Sequence, residues 1–584
     1  MDTNNKYIYS PLSGPRSTRL IMLHPSKAAD APLSCELVEI DMDRPPAYQA
    51  LSYTWNGEAP SEPMTVSAAA GRAGPGTQPL LVTPNCADAL RLLRRRIGRG
   101  RRVARVGLWV DAICIDQGSD QEKSVQVAAM SDIYKNAETV VVWLGKRHAP
   151  AAWGSLLPVQ FFGFLSFTKA PHLSLTLDML YEFYEEKTHK LLWKASHKTI
   201  ADVRGASYWS RVWTLQEFAH RSAALLCLDS RLYPFRRLRL LPMIVPQAEE
   251  GEDALLLHNM HFNSGRYTVG GMNPVPSAFW ASVSGKTASD GRDKVFALRG
   301  VFPYHLGSTR VDYGRSAEDV FAAATRDCVA YAEDLETLYY SCQPTDLALL
   351  PSWAVDWQPK EPWSDTAVWG AALDWSSACG RADAVFRFSE DGLGLELLGK
   401  EIGKVGGCVG ERFPPVDLGS REITLPSLPL INEVSRFMSA ASESCPDAPS
   451  KPASSLRSVL AWYLQWESWS DYVHWSKDLG PEELQDVPAI IIENIRASYF
   501  IRLRLGQFLE QCRLFLTTDG RAGVGFHTIL PGDSICVFAG LKRPFVVRPR
   551  GSGYALVGPV LVDGAMSGEL WPENRDELQT WQIV

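Results

Sequence analysis

Three positions, Trp209, Trp213 and Glu217, combine aromatic and acidic chemistry at a spacing of four residues. On a helix that spacing sets them one above another on a single face, and the surrounding pattern predicts a helix over 207–223. A carboxylate that shares a face with two indoles is desolvated. Desolvation raises its pKa and suits it to proton transfer, or to steadying a cation that develops during bond cleavage. Glu217 also reads as half of a structural ion pair, with Arg221 one turn on or with Arg211. Both readings stand open on the residues alone.

A second set of reactive types falls where strands are predicted to end. In open parallel sheets, ligands bind beyond the carboxyl ends of the strands. Thr54, Trp55 and Asn56 follow the strand candidate 48–55, and Asp111 and Asp116 follow the strand at 108–110. Trp55 offers a face for stacking on a flat ring, and Asn56-Gly57 allows close approach of the backbone to a ligand. The structural alternative makes Asp111 and Asp116 caps of the following turns and Trp55 part of the core. Two aspartates five residues apart without a nearby histidine give no metal site. His258 and His261 are spaced like a ligand pair, yet no third ligand lies near them in sequence.

Other patterns fail on inspection. Gly285-Lys286-Thr287 resembles the end of a P-loop, but Trp280 stands where its first glycine is needed. Gly551 and Gly553 lack the strand–turn–helix context of a dinucleotide fingerprint. Arginines at 91, 94, 95, 96, 99, 101, 102 and 105 form a basic run suited to phosphates. Aromatic residues do not interleave it, and the chain is acidic overall, so the run reads as a solvated helix face followed by a basic loop; nucleic-acid binding ranks last.

The elements that must position these residues follow from periodicity. Pro45 and Pro46 lead into the strand at 48–55, and Met64–Ala68 pairs with Leu80–Val82 as a hairpin. Thr83 caps a helix whose first residue is Pro84, with Cys86, Leu90, Leu93 and Ile97 as its buried stripe and arginines opposite. A helix over 121–137 carries Val127, Met130, Ile133 and Tyr134 on one face. Thr139–Leu144 is apolar on both alternating faces, as a strand covered by helices on both sides must be. Strand, helix, strand, helix, strand predicts a doubly wound α/β domain with a parallel sheet. Further helices are expected over 290–300 and from a Ser316–Asp319 capping pair to about Tyr331.

The expected boundaries are an N-terminal extension 1–47 and the α/β domain 48–302. A mainly helical or irregular middle region 303–414 follows, then a Pro- and Ser-rich linker 415–452 and a helical region 453–510. A small β-rich unit 511–584 closes the chain. The whole has 584 residues, 46% of them apolar, with 59 basic and 66 acidic residues and a formal charge of -7. That balance gives nucleic acid no global attraction. The first twenty residues lack the apolar stretch of a secretory signal, and no run is long enough to span a membrane as a helix. The 11 scattered cysteines, none in a C-x-x-C pair, fit a reduced, cytoplasmic setting.

Several blocks, in this order, carry a resemblance: LSYTW (51–55), TPNCADAL (83–90), LWVDAICIDQ (108–117), EKSVQVAAMSDIYKNAETVVVWLG (122–145), WSRVWTLQE (209–217) and GRDKVFALRG (291–300). Together they are similar to the fungal heterokaryon incompatibility (HET) domain family. Pro351-Ser352-Trp353 with Asp356-Trp357, and the stretch from Pro531-Gly532-Asp533 to Glu569, resemble segments that accompany this domain. The resemblance implies a TIR-like, flavodoxin-like sheet with helices on both faces. It also implies a role in nonself recognition and programmed cell death, through protein partners or self-association. In TIR domains that cleave NAD, a glutamate in a W-C-x-x-E helix is catalytic. Trp213 to Glu217 looks like that stretch, which implies Glu217 as the catalytic carboxylate, while the segment from Ser52 to Trp55 corresponds loosely to the first TIR box. On that reading NAD is the substrate, with Ser52, Thr54, Trp55, Asn56, Asp111 and Asp116 around it. Two departures touch the same rim: Asn56 intervenes between the tryptophan and Gly57, and Asp116 replaces the usual asparagine.

Overall fold

Hydrophobic patterning begins to build the first sheet well before residue 48. The strand β1 (Ser17–Leu23) is buried along most of its length, Thr18 and Arg19 included, and β2 (Leu33–Asp41) alternates, burying Leu33, Cys35 and Leu37. They pair antiparallel from Ser17 opposite Asp41 to Leu23 opposite Cys35. Residues 17–41 are therefore part of the sheet, which corrects the expected extension 1–47. The computed structural model describes residues 7–26, 28, 30–67, 77–97, 107–145, 206–219, 223–228, 231–234, 286–342, 345–358, 376–411, 437 and 512–584. They divide between two units. The 151–200 stretch, His258 with His261, the expected linker 415–452 apart from residue 437, and the expected helical region 453–510 lie outside the described residues.

The first unit continues with β3 (Tyr48–Tyr53), β4 (Glu62–Ser67), β5 (Thr77–Val82), β6 (Gly107–Trp109), β7 (Thr139–Trp143), β8 (Ala223–Leu228) and β9 (Arg231–Pro234). The sheet order is β5-β4-β2-β1-β6-β3-β7-β8-β9. At its centre β6, β3, β7 and β8 run parallel. Numbered among themselves in chain order they stand 2-1-3-4, the flavodoxin-like order that TIR-like domains share. The sheet as a whole is mixed rather than parallel, because β1–β2, β4–β5 and β8–β9 pair antiparallel. The connections within those pairs run to nine residues at most, and a crossover that returns a strand in the same direction takes about a dozen or more.

The flanking helices are α1 (Pro84–Ile97), α2 (Asp111–Cys114), α3 (Asp120–Asn136), α4 (Thr214–Ala219) and α5 (Asp293–Arg299). The Thr83 hydroxyl accepts the Cys86 N–H at 3.3 Å, and Ser119 accepts the Glu122 N–H, so both caps are formed. Cys86, Leu90 and Leu93 are buried as the stripe requires. Arg94 departs from the expected solvated face: it is 1% exposed and donates to the carbonyls of Ala31 and Pro32 at 2.7 and 2.8 Å. Those carbonyls come from the segment entering β2, which no helical periodicity in 84–97 records. The predicted helix 207–223 is also not continuous. Residues Ser207–Ser210 form a 3-10 turn, the chain extends at Arg211 to bridge Thr287, and α4 begins only at Thr214. Backbone pairing to a segment some 75 residues away, 77 from Ser210 to Thr287, interrupts what local spacing reads as one helix.

In the second unit Ser316 caps α6 (Ala317–Ala332), its hydroxyl accepting the Asp319 N–H at 3.1 Å. A 3-10 turn follows at Glu336–Tyr340. The strands are β10 (Phe386–Phe388), β11 (Leu395–Val409), β12 (Cys512–Thr517), β13 (Ala522–Phe526), β14 (Ser534–Phe538), β15 (Phe545–Arg550), β16 (Gly553–Val562) and β17 (Gln579–Ile583). β11 pairs with both β12 and β14, so the run β11-β12-β13-β16-β15-β14 closes on itself. Register shifts between Glu401 and Gly403 and between Val405 and Val409 let one long strand serve both neighbours. The β-rich unit thus recruits β10 and β11 from the expected helical or irregular region 303–414. Val405, Phe515, Ile535, Val546 and Val560 belong to its core. Among the described residues no helix is long and apolar enough to cross a membrane.

Candidate functional site

At the switch point of the first sheet, the carboxyl ends of β3 and β7 are tied together by Asn85. Its side-chain N–H donates to the Thr54 carbonyl at 2.7 Å, and its Oδ1 accepts the Trp143 indole N–H at 2.7 Å. Pro84 at the first position of α1 places Asn85 there, since the helix starts directly behind these strand ends. Past Thr54 the chain turns sharply. Asn56 and Gly57 both take positive φ, and the Glu58 N–H closes the turn on the Trp55 carbonyl at 2.9 Å. Asparagine tolerates that conformation and glycine meets no steric cost in it. Asn56-Gly57 is accordingly turn chemistry, with Asn56 Oδ1 accepting from Ser207 at 3.0 Å. Trp55 sits half-buried at the rim and is not a core residue.

Behind that rim lies Glu217, 2% exposed. Its Oε2 accepts the hydroxyls of Ser52 and Tyr208, the latter at 2.7 Å. Its Oε1 faces the Tyr134 hydroxyl at 3.5 Å and Arg211 Nη1 at 3.9 Å. Ser52 and Tyr208 also approach each other at 2.5 Å. Arg211 is anchored independently by a hydrogen bond to the Tyr53 carbonyl. Burial pushes both tyrosines far above their ordinary range, and the Glu217 charge adds to it, so they stay neutral donors. The Arg211 guanidinium is held charged by Glu217 and Asp111 against the desolvation that opposes it. Trp209 is buried, but Trp213 turns elsewhere: its indole N–H donates to Asp293 at 3.2 Å. The expected stack of Trp209, Trp213 and Glu217 on one helical face therefore does not form. Of the two ion-pair partners expected for Glu217, the structure brings up Arg211; Arg221 is outside the described residues.

Asp111 belongs to the same group. It opens α2 directly beyond β6, and its Oδ1 accepts the Ala112 N–H at 2.7 Å while Oδ2 accepts the Trp55 indole N–H at 3.3 Å. Burial raises its pKa from 3.8 to about 6; the Arg211 charge offsets this in part, and Glu217 adds to it. The residue as a whole nonetheless remains partly exposed. Asp116 is not drawn into the group. Its Oδ1 accepts the Gly118 N–H at 3.0 Å, closing the turn into α3, as the structural alternative expected. Thr54 is buried, and its hydroxyl accepts the Asn56 N–H at 3.2 Å.

The segment carrying Tyr208, Arg211 and Glu217 is fixed from two sides. Lys286, buried, donates to the Trp209 carbonyl at 2.6 Å and to Thr214 Oγ1 at 3.4 Å. Desolvation lowers its pKa to about 7. Gln216 donates to the carbonyls of Phe296 and Ala297 at 3.2 and 3.0 Å. Asp293 accepts both the Trp213 indole and the Tyr313 hydroxyl, the latter at 2.5 Å. The 209–217 and 291–300 blocks are thus two halves of one support. Asn85, Tyr134, Tyr208, Arg211 and Lys286 are site residues that sequence reasoning did not single out for the site. Only Arg211 carried a signal, as an ion-pair candidate. Among the described residues, no group of three or more His, Cys, Asp or Glu side chains is placed to hold a metal ion.

Residues 48–217 match the family model described as heterokaryon incompatibility protein (HET), and residues 449–580 match that of the Het-6 beta-barrel domain. The chain is similar to heterokaryon incompatibility protein 6, OR allele, of Neurospora crassa, at 24% identity with 94% of each chain covered. No solved structure matches.

Proposed function

From the premise that this chain carries an N-terminal HET domain on a TIR-like sheet and a C-terminal Het-6 β-barrel domain, we infer that it acts in heterokaryon incompatibility. It promotes programmed cell death on nonself recognition, through assembly of the HET domain with protein partners or with itself, in the cytoplasm. The observation that carries this reading is the likeness to an incompatibility protein across 94% of both chains. The buried state of Glu217 is in keeping with it, because a carboxylate held by Ser52, Tyr208 and Tyr134 braces a domain without any ligand. Inducible expression in a filamentous fungus is the test. Death on induction, together with species larger than the monomer by light scattering, is expected. Viable hyphae at full expression, with a strictly monomeric protein, would refute it.

A second reading makes the domain an NAD glycohydrolase that releases nicotinamide. Its support is Asp111 and Trp55 meeting at the carboxyl ends of β6 and β3, next to the flavodoxin-like switch point, a half-buried indole beside a carboxylate with acceptor capacity left. A flat cationic ring such as nicotinamide fits that chemistry. Glu217 is the carboxylate that the family resemblance implies for the step. Nicotinamide release from NAD by the purified chain, monomeric and assembled, tests this reading, and no release from either form ends it. The arginine run supports nucleic-acid binding poorly, since Arg94 is buried in the fold and Arg91 pairs with Glu62 and Asp88.

A further inference from the structure

We propose that Asp111, rather than Glu217, is the carboxylate that touches the ligand at the carboxyl ends of β6 and β3, and that Glu217 is a positioning residue behind it. This role assignment rests on the NAD glycohydrolase reading. Four polar groups converge on Glu217, from Ser52, Tyr208, Tyr134 and Arg211, and its residue is 2% exposed. Oε2 is filled by the two hydroxyls, and Oε1 is shut in behind Tyr134 and Arg211, where burial keeps a substrate hydroxyl from reaching it. Asp111 differs on each count. Each of its oxygens accepts one hydrogen bond, from Ala112 and from Trp55, where an ionised carboxylate has about four acceptor positions. It is partly exposed, it opens from the end of a central parallel strand, and its partner Trp55 is itself at the rim. Glu217 holds Tyr208 and Ser52 and faces Arg211, whose charge also acts on Asp111. Removing Glu217 therefore disturbs Asp111 without any contact to ligand.

In NAD cleavage the C1′–N bond breaks, and its electron pair leaves on the nicotinamide nitrogen, which becomes neutral. Water oxygen forms the new bond to C1′. The Asp111 carboxylate takes the proton from that water and passes it to solvent, so that NAD and water give nicotinamide, ADP-ribose and a proton. The ionised form of Asp111 is the active one. The groups facing it are Arg211, Glu217, Tyr53, Tyr134, Cys86 and Cys114. Burial holds the two tyrosines and the two thiols neutral through the range in which a carboxyl titrates.

The test compares nicotinamide release from NAD by the full chain, Asp111→Asn and Glu217→Gln, across pH 4.5 to 8, with hydrogen exchange of the β3 and α4 peptides as the measure of folding. Asp111→Asn is expected to exchange no faster than wild type and to lose about a hundredfold in kcat/KM, the typical contribution of a general base. Its residual rate should lack the acid limb expected of wild type near pH 6. Glu217→Gln should keep that limb and lose rate only in step with loosened exchange. Wild-type rates and an intact limb in Asp111→Asn, with Glu217→Gln inert yet exchanging normally, would reverse the two roles. If all three proteins, wild type included, leave NAD intact, the glycohydrolase reading fails and the assignment falls with it.

Discussion

Replacing Glu217 by Gln should loosen the centre of the first sheet, by an amount that the geometry allows to be worked out. The carboxylate accepts hydroxyl hydrogen bonds from Ser52 and Tyr208 and lies 3.9 Å from Arg211. Hydrogen bonds to a buried charged group contribute roughly 1.5–3 kcal/mol each. Glutamine keeps one acceptor oxygen, and the hydroxyls can reorient toward its amide, so about one such bond is lost. Arg211 loses one of its two anionic neighbours while Asp111 remains. Together the loss is about 3 kcal/mol, which is on the order of a hundredfold in local opening. Two units in one chain make a single global unfolding free energy ill-defined. The assay is therefore native-state hydrogen exchange by mass spectrometry, with peptides covering 48–55 and 207–217 as reporters and β12 to β16 as the internal reference. Reporter peptides exchanging within threefold of wild type would refute the bracing role and with it the account of Ser52, Tyr208 and Arg211 as one unit.

Asp111→Asn should act in the opposite direction and depend on pH. Its folded pKa lies above its unfolded value, about 6 against 3.8, so the folded state holds the proton more tightly. Stability of the first unit then falls as pH rises from about 4 to 6, and the cost is fully present above that window. A rise of that size is worth ~3 kcal/mol at 1.36 kcal/mol per unit, reduced to about 1 kcal/mol by solvent screening of a partly exposed group. The variant should flatten the exchange-versus-pH curve of peptide 107–117 and exceed wild type at pH 7; a slope unchanged by the substitution would contradict this. Asn85→Leu strands the Thr54 carbonyl and the Trp143 indole, and should cost about 2–4 kcal/mol in the same exchange measurement at β3 and β7; less than ~0.5 kcal/mol would show that the strand ends are held otherwise. In the barrel, Arg548 grips both oxygens of Asp533 at 2.7 and 2.8 Å, while the Leu530 N–H donates to Oδ2. Asp533→Ala should cost about 2–4 kcal/mol, read as faster exchange in β14 and β15 with β3 unaffected, and equal loss in both units would point to a different cause.

Local order along the chain was legible wherever a signal and its consequence lie within one element. Thr83 and Pro84, or Ser316 and Asp319, specify helix starts through atoms three residues apart, and those caps are present. The residues of β7 are apolar on both faces, and they are buried on both. Residue type alone also pointed to Glu217 and Asp111 as chemically unusual. Pairing across long separations was decided by tertiary structure. Nothing in 17–41 states that β1 must lie beside β6, and nothing in 395–409 states that β11 must close a barrel with strands more than a hundred residues on. The fate of charge was decided there too. Arg94 looks like its solvated neighbours until the carbonyls of Ala31 and Pro32 are brought to it. The single helix written in the spacing of Trp209, Trp213 and Glu217 is broken by Thr287. Periodicity records which side of an element is apolar; it carries no record of which distant backbone or side chain will satisfy the polar groups that burial leaves on the other.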